Sequence, residues 1–144
     1  VEKISMEFIE GMLFHGRSVS EHDIFMDSVP KFQGRDTAPR PMECFIHALA
    51  GCTGMDVVSI LRKMKILNMV KKFEVQVEYE RATEHPKVYT KIHVTYYFET
   101  EKGIPHDKVE KACVLSQERY CPASAMLKKA VPEFDYEIKI VEIE

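Results

Sequence analysis

The chain has 144 residues, a length that suits one domain with a core of its own. Twenty lysines and arginines stand against 23 aspartates and glutamates, a net charge of −3. The basic residues are scattered apart from pairs such as Lys71-Lys72 and Lys128-Lys129, which argues against a nucleic-acid or anionic-membrane surface.

The opening VEKISMEFIEG alternates and carries charge, unlike the continuous apolar run of a secretory leader. Lys3 to Glu10 reads as a strand, with Ile4, Met6 and Phe8 on one side. Gly11 breaks it, Met12 to Val19 returns as a second strand, and Asp23 to Asp27 is a short third, so an antiparallel meander is expected. Pro30 to Pro41 is loop. A helix then runs from Pro41, tolerated in a first turn, past Glu43 to the cations Arg62, Lys63 and Lys65 at its far end. It is apolar nearly all round, as befits a central helix covered on most sides. Its low-charge stretch, Cys44 to Met55, is shorter than the ~20 residues of a bilayer span.

Phe73 to Arg81 and Val88 to Phe98 form a second hairpin rich in β-branched and aromatic residues. Pro105 to Tyr120 and Pro122 to about Ala130 are helices, and Phe134 to Ile143 is a last strand. The order βββ–α–ββ–αα–β is that of a single α+β domain.

Of the four cysteines, none forms a CxxC pair, and a reducing cytosol is the expected setting. Cys121 precedes Pro122 at a helix start, where the positive end of the dipole and free N–H groups favour a thiolate. Cys52 lies inside the long helix between Gly51 and Gly54, each of which costs the helix about 1 kcal/mol relative to alanine. The usual compensation is close approach of another backbone or a ligand. Cys44 and Cys113 read as core residues. Cys44, His47 and Cys52 lack the four-ligand spacing of a zinc site. Asp56, one turn beyond Cys52, would oppose a thiolate there.

PMECFIHALAGCTGMDVVSILRK, with Pro41, Glu43, Ala48 to Gly51 and Cys52, resembles the cysteine-bearing helix of the OsmC/Ohr family, the osmotically inducible and organic hydroperoxide resistance proteins. YCPAS, Tyr120 to Ser124, is similar to its second signature. The resemblance implies an intertwined homodimer, two antiparallel sheets wrapped around paired central helices with active sites at the subunit interface. It implies a peroxidase in which Cys52 attacks the O–O bond of a small organic hydroperoxide, or of hydrogen peroxide, and becomes a sulfenic acid. Cys121 then closes a disulfide, which an external dithiol or lipoyl-type reductant reduces; no bound cofactor or metal is implied.

The family's carboxylate stands one residue further upstream, where this chain has Met42, and Glu43 takes its place here. Nine residues of helix separate Glu43 from Cys52, so the two lie on opposite faces, and any contribution of Glu43 is expected from the partner subunit. For the family's thiolate-supporting arginine the candidates are Arg17, Arg35 and Arg40, with Arg35 preferred by its distance upstream of Glu43. A non-catalytic module holding a small apolar or thiol-reactive ligand at the interface is the alternative, and a purely structural dimer a third reading.

Overall fold

A computed structural model describes all residues, Val1–Glu144. They form two compact units, Val1–His47 and Ala48–Glu144, whose boundary falls within the helix α1, Pro41–Lys63.

In the first unit the strands β1 (Ser5–Glu10), β2 (Leu13–Arg17) and β3 (Asp23–Met26) make the expected antiparallel meander. Gly11 turns β1 into β2 at a φ of 59°, a conformation open to glycine at little cost. The proline-rich segment that follows β3 holds a short 3-10 turn, Pro30–Phe32, and is tied down by Asp27. The Asp27 carboxylate accepts from the Ser28 N–H (2.7 Å), the Thr37 N–H (3.0 Å) and the Thr37 hydroxyl (2.6 Å). These bonds, the Thr37 hydroxyl first, pull its carboxyl down to about 2. At Gly34 an added Cβ would overlap the Ser28 carbonyl group, so the loop closes only without a side chain there.

In the second unit β4 (Val70–Arg81) and β5 (Tyr89–Thr100) pair antiparallel, and β6 (Glu133–Glu142) completes the sheet on the other side of β5. β6 runs parallel to β5, where antiparallel pairing was expected throughout. Two helices, α2 (His106–Leu115) and α3 (Pro122–Ala130), lie between these strands, and such a crossover returns the chain to the end from which it left. Ile92, Val94, Tyr96 and Phe98, every second residue of β5, are fully buried, as are Leu49, Val57 and Leu61 of α1 and Val109, Ala112 and Cys113 of α2. Phe73 stacks on Phe98 with centroids 4.5 Å apart.

By length and composition α1 suffices to cross a bilayer, more than the sequence reading allowed. Within this unit it packs as a core helix. Leu49, Thr53, Val57 and Leu61 form one buried stripe, and a Cβ added at Gly54 would sit 3.3 Å from Val75 Cγ2 of β4. Its other face was expected to be covered too, yet Met55 is 76% exposed, and a Cβ at Gly51 would meet nothing within 4 Å. The two glycines therefore differ: Gly54 lets the sheet approach, and nothing within the chain calls for Gly51.

The helix expected over Pro105–Tyr120 is α-helical only as far as Leu115. Ser116–Tyr120 widen into a π-turn, closed by the Cys121 N–H on the Ser116 carbonyl at 2.8 Å.

Candidate active site

That π-turn delivers Cys121 to the N-cap of α3, and there two cysteines distant in sequence meet. The Cys121 sulfur, buried, accepts from the Ser124 N–H at 3.4 Å. The half-buried Cys52 thiol lies within hydrogen-bond reach of the Cys121 sulfur and of the Ala123 N–H. Both cysteines are free. Two N–H groups of the first turn of α3 thus face two sulfurs, and such groups favour negative charge.

Burial holds the Cys52 thiol above its ordinary range. The hydrogen bond with Cys121 adds to the rise, the Ala123 N–H opposes it, and the charge of Asp56 raises it a little further. Cys113, fully buried in α2, is pushed up to about 12 by the same loss of solvent, as an inert core thiol should be.

A chain of buried polar groups lies behind the sulfurs. The Gln117 amide donates to the Tyr96 oxygen (2.6 Å), Tyr96 and Thr53 share a bond of 2.5 Å, and Thr53 and Ser116 one of 2.7 Å. Ser116 donates to Asp56 Oδ2 at 2.9 Å. Burial pushes the Tyr96 phenol up to about 12, so it remains a donor. Of these residues only Asp56 drew attention in the sequence. The available signal was Thr53, a polar residue inside the apolar stripe of α1.

The remaining candidates lie in the first unit. Glu43 accepts from the Arg40 N–H (3.2 Å) and faces Arg40 Nε (3.5 Å), while Arg40 Nη1 also donates to Asp36 (2.5 Å). Arg35, the preferred arginine, is exposed and donates to Glu10 at 2.6 Å. Arg17 donates to the Glu21 carbonyl at 3.1 Å. Arg40, and not Arg35, is therefore the arginine joined to Glu43. His47 Nδ1 lies 3.0 Å from the Glu43 carbonyl oxygen, and no group of three or more His, Cys, Asp or Glu side chains is placed to hold a metal ion.

Residues 34–137 match the family model described as OsmC-like protein. The chain is 38% identical over 126 residues to Protein YhfA of Escherichia coli strain K12, covering 88% of this chain and 89% of that protein. The crystal structure of a hypothetical protein from Aquifex aeolicus VF5 superposes with a TM-score of 0.77 at 26% identity, covering 97% of each chain. An organic hydroperoxide resistance protein OsmC from Legionella pneumophila shares the fold, with a TM-score of 0.61 at 15% identity over 98% of both chains.

Proposed function

The chain belongs to the OsmC-like protein family, and from that premise we propose that it is a thiol peroxidase acting on organic hydroperoxides. The observation that carries the reading is the meeting of two free cysteines, Cys52 and Cys121, at the N-terminus of α3. The family's association with hydroperoxide resistance supports it.

In the proposed cycle the Cys52 thiolate attacks the distal oxygen of the hydroperoxide. The O–O bond breaks, the alkoxide leaves and takes up a proton, and Cys52 becomes a sulfenic acid. The Cys121 sulfur attacks the Cys52 sulfur, a disulfide forms and water departs. An external dithiol restores both thiols and is itself oxidised to a disulfide. The Ala123 N–H, which acts to lower the Cys52 thiol pKa, would stabilise the thiolate in the first step.

The raised Cys52 thiol needs a cation, and a second copy of the chain is the source in this reading. The β1–β3 sheet leaves Phe8, Ile24 and Phe25 exposed, and α1 leaves Ala48, Gly51 and Met55 exposed, more apolar surface than a lone chain usually shows. α1 is unbroken from Pro41 to Lys63, so Glu43 lies about 13 Å along the axis from Cys52 and on its opposite face. Two such helices crossing antiparallel near His47 and Ala48 would set Glu43 of one copy, with its Arg40, level with Cys52 of the other. Arg35 is the alternative cation.

Turnover of cumene hydroperoxide with a dithiol tests the proposal. Cys52→Ser should abolish turnover, and Cys121→Ser should leave a single oxidation step. One observation favours the second reading, a non-catalytic module binding a thiol-reactive ligand: burial alone would leave Cys52 protonated at neutral pH. Wild-type protein that consumes no hydroperoxide but is alkylated stoichiometrically at Cys52 would favour that module.

A further inference from the structure

The polar chain behind the sulfurs has a direction. Its ends define it, because the Gln117 amide nitrogen can only donate and the Asp56 carboxylate can only accept. Between them the hydroxyls are ordered: Gln117 donates to Tyr96, Tyr96 to Thr53, Thr53 to Ser116, and Ser116 to Asp56 at 2.9 Å, with the Thr53 carbonyl as a second, longer acceptor at 3.4 Å. Tyr96, Thr53, Ser116 and Gln117 are buried, so the chain sits where a lost partner leaves an uncompensated polar group.

What the chain joins is specific. Thr53 follows Cys52 on α1, and Asp56 lies one turn beyond it. Ser116 and Gln117 open the π-turn whose last bond is made by the Cys121 N–H to the Ser116 carbonyl at 2.8 Å. The Gln117 carbonyl accepts from Lys128 Nζ of α3 at 2.7 Å. The π-turn is thus bonded to the helix that carries one cysteine and to the helix that the other cysteine caps. Tyr96 anchors it to the central strand.

We propose that Thr53, Tyr96 and Ser116 are positioning residues for the dithiol–disulfide step: their ordered hydroxyl chain holds the π-turn so that Cys121 stays opposed to Cys52. The inference builds on the reading of the two cysteines as a redox pair, and concerns how closely they are held rather than what oxidises them. Removing a link frees the π-turn and lowers the effective concentration of one thiol at the other.

The test uses the purified full chain equilibrated with mixtures of oxidised and reduced dithiothreitol. Two electrons and two protons pass from Cys52 and Cys121 to the cyclic disulfide, and no hydroperoxide is involved. The fraction of Cys52–Cys121 disulfide gives the equilibrium constant by mass spectrometry. Tyr96→Phe, which removes one hydroxyl, and Thr53→Val are expected to lower that constant about tenfold or more. Thr53→Ser, which keeps the hydroxyl, should remain within about twofold of wild type. Should Thr53→Val not fold, Tyr96→Phe and Ser116→Ala decide. Folded variants whose constants match wild type, or a Thr53→Ser that falls as far as Thr53→Val, would overturn the inference. Failure of the peroxidase reading looks different: the wild-type disulfide would form with dithiothreitol and not with hydroperoxide.

Discussion

Cys52 sits among opposing influences, and their signs make predictions. Burial and the Cys121 sulfur raise its thiol, and Asp56 adds to the rise. Asp56→Asn removes a negative charge while leaving an oxygen to accept from Ser116. It should lower the Cys52 pKa by less than about one unit and speed alkylation at pH 7 in proportion, as a rate–pH profile with iodoacetamide would read. An unchanged or slower rate would mean that the charge does not reach the sulfur. Cys113, pushed up to about 12 and fully buried, should stay unlabelled in native protein at pH 8. The site was partly legible at this scale. Cys52 and Cys121 stand out by their neighbours Gly51, Gly54 and Pro122, whereas Thr53, Tyr96 and Ser116 do not. Thr53 bonds residues 43 and 63 positions away, and no local pattern encodes such a pairing. Arg35 is preferred by its distance along the chain, whereas the pairing of Arg40 with Glu43 is a property of the loop conformation, which spacing in the sequence does not encode.

At the scale of elements, α1 offers a contrast between its glycines. Replacing a helical glycine with alanine gains up to about 1 kcal/mol of helix propensity. At Gly54 the new methyl meets Val75 at 3.3 Å on an edge strand, so Gly54→Ala should gain less than that full amount in urea denaturation. At Gly51 the methyl meets nothing within the chain. Gly51→Ala should therefore stabilise a monomer by about the full amount, and weaken a dimer whose helices cross one turn away, near Ala48. The outer face of the sheet carries a pH-dependent element. His93 on β5 lies 2.5 Å from Asp135 and 3.3 Å from Glu137 on β6, with Glu78 opposite on β4. The Asp135 bond chiefly raises its pKa above the ordinary value. A raised pKa in the folded state means stability fully present below about pH 6.5 and lost as pH rises through the folded value. His93→Gln should cost stability at pH 5.5, by up to about 1 kcal/mol, and little at pH 8.5. The alternation of apolar residues made these strands readable, but the direction of β6 was not. Pattern is the same in parallel and antiparallel strands, and the crossover decides. The π-turn was hidden for a like reason: five residues are too few to separate its period from that of an α-helix.

At the scale of the whole molecule, one chain does not cover its own apolar surface. Phe8, Ile24, Phe25 and Met55 remain exposed, while Glu43, the carboxylate expected to serve the thiolate, is paired with Arg40 and the preferred Arg35 with Glu10. Sedimentation should find a dimer, and Gly51→Leu, which adds bulk to the proposed crossing, should shift it toward monomer. If the partner's Arg40 supports the thiolate, Arg40→Ala should move the alkylation profile of Cys52 upward by about one unit or more, and Arg35→Ala should not.

The most direct measurement is the mass of an unreduced digest after one equivalent of cumene hydroperoxide, with free thiols blocked beforehand in a control and afterwards in the sample. The account predicts a single Cys52–Cys121 crosslink that disappears in Cys52→Ser. Slow oxidation scattered over all four thiols, with no preferred crosslink, would contradict it.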